Sequence, residues 1–272
     1  MSKQSVNDRP IGIFDSGLGG LTVAAALHNR LPGEDLIYLG DTARVPYGAK
    51  SAATIRRYAL ECALFLLNRD VKMIVAACNT VSAVALPRLK ELLRIPLIGV
   101  LEPGVEAGLR ATHANRIGVI GTQSTISSDA YQNRLRELRP GIDVSARACP
   151  LFVPLAEEGR TTGPIVHKIA EAYLKPLKHH SIDALILGCT HYPVLAPVIA
   201  SVMGENVALV DSAETTAKAV EDVMLREGLL RTYGPSRINC YVTDIPLNFK
   251  KLTRRFFGKP VERVEQVELT TD

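Results

Sequence analysis

The chain has no stretch approaching the roughly 20 uninterrupted apolar residues that a bilayer-spanning helix needs. Its opening segment MSKQSVNDRP also lacks the apolar core of a signal peptide. A cytoplasmic protein is expected. The five cysteines (Cys62, Cys78, Cys149, Cys189 and Cys240) are odd in number, widely spaced and without a CxxC pair, which argues against a disulfide scaffold and for free thiols in a reducing compartment. No GxGxxG or Walker pattern is present. The glycines of DSGLGG at 15–20 match neither, so that stretch reads as a tight strand-to-helix turn rather than a phosphate loop. Net charge is small, +4 over 272 residues, and the only dense basic run is KKLTRRFFGK at 250–259. It reads as a solvated helix face, and neither nucleic acid nor membrane is expected as a partner. No composition break marks a linker.

What is present is a chain long enough for one large domain or two modest ones, with 47% hydrophobic and 22% charged residues, a balance typical of soluble globular proteins. Short apolar runs alternate with segments of helical periodicity: IGIF (11–14), DLIYLG (35–40), MIVAAC (73–78), PLIGV (96–100), RIGVIG (116–121), DALILGC (183–189) and VALV (207–210). That rhythm predicts βαβ units. The segment after Ser51, a candidate N-cap, places apolar residues at three- and four-residue spacing, as a helix packed on a parallel sheet requires.

The chain also repeats itself faintly. Ile11 to Ser16 aligns with Ile117 to Thr122, Val45-Pro46 with Val153-Pro154, Ile55 to Leu67 with Ile165 to Leu177, and Ile74 to Cys78 with Leu185 to Cys189, in order and at an offset that drifts by only a few residues. The expected fold is α/β: two similar parallel-sheet lobes related by a pseudo-twofold axis, with the active site in the cleft between them. The first lobe is expected over 1–100, with 210–272 packing back onto it, and the second over 101–209. Chance alignment of apolar strands competes with this reading, and the cysteine pair favours the repeat.

In open α/β sheets ligands bind beyond the carboxyl ends of the strands, where Cys78 and Cys189 are both expected, each at a strand-to-helix junction. A helix N-terminus stabilises a thiolate and binds a carboxylate. Two facing lobes would put one thiol on either side of a bound molecule. Racemisation needs that arrangement, because one face of a carbon loses a proton while the other gains one. A cysteine with an ordinary pKa of about 8.5 lies close enough to neutrality to do both. Cys62, Cys149 and Cys240 have no attached polar cluster and read as buried packing residues. His191 reads either as a structural histidine or as a group that tunes Cys189. Asp15, ending its strand toward the cleft, reads equally as a substrate or thiol partner and as a helix N-cap. VPYG (45–48) and VPLAEEG (153–159) are expected to be loops rimming the site.

DSGLGG, VPYG, AACNT, GTQST and GCTHYP, in this order between 15 and 193, resemble glutamate racemase of the cofactor-independent Asp/Glu racemase family. The resemblance implies interconversion of L- and D-glutamate without a cofactor or metal, supplying D-glutamate for peptidoglycan. It implies Cys78 and Cys189 as the proton donors and acceptors, with Asp15 assisting Cys78, His191 assisting Cys189 and Glu157 supporting the second half-site. It further implies that Ser16, Tyr47, Gly48, Asn79, Thr80, Thr122, Thr125 and Thr190 hold the substrate. A homodimer is an open possibility. Three other readings stay open: a racemase for aspartate or a related amino acid, a hydrolase holding zinc on Cys78, Cys189 and His191, and a two-lobed amino-acid-binding protein.

Overall fold

The structure is a computed structural model and describes residues 6–231, 234, 236–261 and 263–269. Residues 1–5 and 270–272, at the ends of the expected first lobe, lie outside the described residues. The first part of the chain forms β1 (Ile11–Asp15), α1 (Leu21–Arg30), β2 (Leu36–Gly40), α2 (Ala52–Leu67), β3 (Met73–Ala76), α3 (Asn79–Val84), α4 (Leu86–Leu92) and β4 (Leu97–Gly99). It continues through α5 (Leu101–Ala111), β5 (Arg116–Gly121), α6 (Gln123–Ser127), α7 (Ala130–Leu138), β6 (Asp143–Ala148), α8 (Phe152–Glu158), α9 (Pro164–His179), β7 (Ala184–Gly188), α10 (Ala196–Met203) and β8 (Ala208–Val210). It ends with α11 (Ser212–Arg226), β9 (Ile238–Val242), α12 (Phe249–Phe257) and β10 (Val264–Gln266).

These strands make two all-parallel sheets, ordered β10-β9-β2-β1-β3-β4 and β6-β5-β7-β8. The β2-β1-β3-β4 core of the first repeats in the second as β6-β5-β7-β8, so β1 corresponds to β5 and β3 to β7. The expected two-lobed parallel α/β architecture is what the chain forms. Strands β1, β3 and β7 are buried along their whole length. Burial on both faces is why each reads as a continuous apolar run rather than an alternating one. Ser51 caps α2, its hydroxyl accepting from the Thr54 amide.

Helices cover both faces of each sheet. One apolar cluster fills the outer face of the first sheet, around Phe14, Leu39, Ile55 and Leu66. A second lies against the second sheet, around Val105, Ile117, Tyr131 and Leu135. The third is shared: it runs from Ile13 and Val75 through Leu27 of α1 and Phe256 of α12 to Leu185 and Leu195. Each large side chain buried there contributes about 1.5–3 kcal/mol, so the shared layer fuses the lobes below the cleft.

Two details correct the sequence reading. The segment VPLAEEG is helical, not a rim loop, since 152–158 form α8. Pro154 sits in the first turn of that helix, where a missing N–H breaks no intrahelical bond, so the proline starts the helix instead of interrupting it. Three strands, β6, β9 and β10, were also not anticipated. The basic run forms α12, with Lys250, Lys251 and Arg254 exposed and Phe249, Leu252, Phe256 and Phe257 buried. Among the described residues no helix is long and apolar enough to cross a membrane.

Candidate active site

β3 ends at Ala76, and two residues later Cys78 stands in extended backbone as the N-cap of α3. β7 ends at Gly188 and Cys189 follows, but the chain then enters a single 3-10 turn, Tyr192–Leu195, and α10 begins only at Ala196. A helix N-terminus is therefore available to Cys78 and not to Cys189. At Cys189 the positive charge comes from a side chain instead. His191 Nδ1 lies 3.8 Å from Cys189 Sγ, and its Nε2 lies 3.1 Å from Glu157 Oε1.

Both thiols line one cavity of about 20 Å³ between the lobes. That volume holds about one water molecule, so the cleft as it stands is too narrow for an amino acid. Ser16, Thr80, Thr122 and Thr190 bring hydroxyls to its wall, Asn79 an amide and His191 its ring. Val45, Pro46 and Val153 supply apolar wall. Gly48 is also in the wall, and a Cβ there would lie 2.4 Å from Thr122 Cβ, so only glycine lets the 45–48 turn close onto the second lobe. Asp15, Thr125 and Glu157 stand behind the wall rather than in it. All five cysteines are free and buried, and Cys62, Cys149 and Cys240 lie outside the cavity.

The two half-sites are electrostatically unlike. Burial, followed by the charge of Asp15, pushes the Cys78 thiol up to about 12, although the Val81 backbone and the Ser16 hydroxyl pull the other way. Cys78 is a protonated thiol at neutral pH, donating to Ser16 Oγ at 3.6 Å. Burial alone would lower the basicity of His191. The hydrogen bonds to Cys189 and Glu157, with the charges of Cys189 and Asp15, outweigh it and push the imidazole up to about 10. His191 is therefore an imidazolium at neutral pH, flanked by Cys189 and Glu157. Asp15 Oδ2 accepts from the Gly17 and Gly20 amides at 3.1 and 3.0 Å, fastening the strand-to-helix turn, while Gly20 occupies the α1 N-cap. Its Oδ1 is buried without a partner, and burial raises its pKa.

Hydrogen bonds cross the cleft. Thr80 Oγ1 meets Thr122 Oγ1 at 2.9 Å and Thr125 Oγ1 at 3.1 Å, and Asn79 Nδ2 donates to the Tyr131 hydroxyl at 2.7 Å. Tyr131 escaped the sequence reading; no motif marks it, and only folding brings it to Asn79. Tyr47 is also in the cavity wall, while its hydroxyl donates to buried Asp41 Oδ2 and contacts Cys62 Sγ at 3.8 Å. Tyr47→Phe is expected to lower stability by about 1–3 kcal/mol, because Asp41 loses a donor, while KM stays within about twofold of the parent. Urea denaturation alongside steady-state kinetics checks this. Among the described residues no three His, Cys, Asp or Glu side chains are grouped to hold a metal ion.

The model of the Asp/Glu/Hydantoin racemase family matches residues 21–220, the span that holds both thiols and His191. The chain belongs to the Asp/Glu/hydantoin racemase family. Membership makes it an isomerase, the class that the resemblance implied. Within this racemase family the chain is 49% identical over 265 residues to the glutamate racemase of Geobacter metallireducens, covering 97% of this chain and 98% of that one. The crystal structure of Francisella tularensis glutamate racemase in complex with D-glutamate superimposes with a TM-score of 0.93 at 42% identity, covering 98% of this chain and 100% of the other. An aspartate racemase homologue from Pyrococcus horikoshii, 18% identical at a TM-score of 0.55 over 79% of this chain and 98% of that chain, shares the fold alone.

Proposed function

We propose that this racemase interconverts L- and D-glutamate by proton transfer between two thiols at the α-carbon, without a cofactor, and supplies D-glutamate for peptidoglycan synthesis in the cytoplasm. The observation that carries the reading is that Cys78 and Cys189, at the ends of corresponding strands β3 and β7, line the same cavity. The glutamate racemases to which the chain is 43–49% identical over nearly its whole length support the substrate. The lobe boundaries belong to the same proposal, with the chain crossing from one lobe to the other near residues 100 and 210.

The chemistry follows from the unlike half-sites. Cys78 is a thiol that can give a proton to the α-carbon, and Cys189 stands on the other side beside the His191 imidazolium. After a turnover the roles are exchanged and the opposite enantiomer is handled. Asp15 assists Cys78, and His191, held by Glu157, assists Cys189. Ser16, Gly48, Asn79, Thr80, Thr122, Thr125 and Thr190 hold the substrate's ammonium and carboxylates, and Tyr47 contributes through its backbone. Such fixed donors need no reorganisation as charge develops on the substrate. Because the cavity of about 20 Å³ is too small for glutamate, its walls must move apart for the substrate to enter.

Purified enzyme without pyridoxal phosphate or metal, incubated in D2O with a panel of amino acids, is expected to exchange the α-hydrogen of glutamate and not of aspartate. Exchange confined to aspartate, or dependent on added cofactor, would sink the proposal.

A further inference from the structure

Glu157, the partner of His191, sits at the C-terminal end of α8, and that end is gripped by an arginine from the other lobe's tail. Arg255 of α12 donates from Nη1 to the Ala156 carbonyl at 2.6 Å and to the Glu157 carbonyl at 2.9 Å. The last carbonyls of a helix lack intrahelical partners and carry partial negative charge, so a guanidinium there is favoured twice over. The next residue but one, Gly159, is in the left-handed region at φ +76, and a Cβ on it would lie 2.1 Å from Arg255 Nη2. Beside Arg255, Phe256 packs edge-on against the His191 ring, with centroids 5.1 Å apart at 75°. Phe249, Leu252, Phe256 and Phe257 bury the rest of the helix against the shared core. The C-terminal helix thus touches the second half-site twice, through the backbone that carries Glu157 and through the face of His191.

We infer that Arg255 is a positioning residue for the Cys189 half-site, fixing Glu157 and, with Phe256, the plane of His191. The inference rests on the two-thiol reading and adds to it a residue that touches neither substrate nor thiol. A misplacement of about 1 Å in such a support costs up to about a hundredfold in rate. Because the two enantiomers have equal energy, kcat/KM must fall equally in both directions, so the rate alone does not say which thiol is affected. Isotope effects do. A higher barrier at Cys189 makes bond cleavage more fully rate-limiting for the enantiomer whose α-hydrogen Cys189 removes. It makes cleavage of the other enantiomer by Cys78 more reversible.

The test measures kcat/KM and the α-deuterium isotope effect for both enantiomers of glutamate in full-length parent, Arg255→Ala, Arg255→Lys and Gly159→Ala proteins. Arg255→Ala is expected to lose about ten- to a hundredfold in kcat/KM, with the isotope effect rising for one enantiomer and falling for the other. Arg255→Lys keeps the charge but not the planar guanidinium whose Nη1 reaches both carbonyls, and is expected to recover part of the loss. Gly159→Ala puts a methyl group against Nη2, displacing the guanidinium, and should shift the isotope effects in the same sense. Unchanged isotope effects in the variants, whatever the loss of rate or of folded protein, would overturn the assignment. A parent protein that does not racemise glutamate would reject the underlying function, and would be recognised before any variant is compared.

Discussion

Cys78→Ala and Cys189→Ala are each expected to lower racemisation by at least about 10³-fold while leaving the protein folded. General acid or base catalysis by one placed group contributes about 10²–10⁴-fold, and here each sulfur is an acid in one direction and a base in the other, so no single-base route remains. Both side chains are small and buried, at 5% and 7% exposed, and alanine leaves only a minor void. The three other thiols provide the control. Cys62, Cys149 and Cys240 lie outside the cavity, and burial, the largest cause at each, pushes all three thiols up. Alanine at any of them should change stability more than turnover. Racemisation retained within tenfold in Cys78→Ala or Cys189→Ala would refute the two-thiol assignment.

The second large effect concerns His191. Its folded-state pKa is raised from 6.5 to about 10, so the stabilisation it provides is fully present below about pH 6.5 and is lost as pH rises through about 10. The substrate carries two carboxylates into a site where Cys189, Glu157 and Asp15 already surround the imidazolium. Loss of that one positive charge should make binding and proton transfer fall together. The alkaline limb of kcat/KM is therefore expected near pH 10, below the point at which Cys78 loses its proton at about 12. His191→Asn should lower kcat/KM at neutral pH by about 10²-fold and remove the limb near pH 10. A profile of unchanged shape in that variant would show that the limb belongs to another group.

Much of this was legible in the sequence because the central strands of a parallel sheet are buried on both faces. The interior strands β1, β2, β3, β5 and β7 each appear as an apolar run of the right length, and the edge strands β4 and β8 are legible because PLIGV and VALV are also apolar. β6, by contrast, is an edge strand with most of its side chains only half buried or exposed, and DVSARA offers no continuous run. β9 and β10 extend the other sheet from the tail as short, partly exposed strands. The thiols and His191 were visible because they directly follow strand ends. Glu157 was named only by resemblance, and it lies 34 residues from His191. Arg255 gave no signal, because a basic residue on an amphipathic helix reads as solvated and its partners are 98 and 99 residues away. Tyr47 lines the cavity as its sequence neighbours suggest, but nothing in the sequence marks that buried Asp41 takes its hydroxyl.

The repeat deserves a physical reading as well. Corresponding strand orders place Ser16 after β1 and Thr122 after β5, each with a hydroxyl in the cavity wall. The symmetry is broken just beyond the sulfurs, where Cys78 meets a helix and Cys189 meets His191 and Glu157. A racemase needs equal energies at the start and end of the reaction, and these follow from the substrate alone.

The most direct test is a crystal structure of the enzyme with D-glutamate bound. The account predicts the α-carbon between Cys78 Sγ and Cys189 Sγ, each within about 3.5 Å or slightly more, one on either face of the stereocentre. Both sulfurs on one face, or one of them turned away from the ligand, would contradict it.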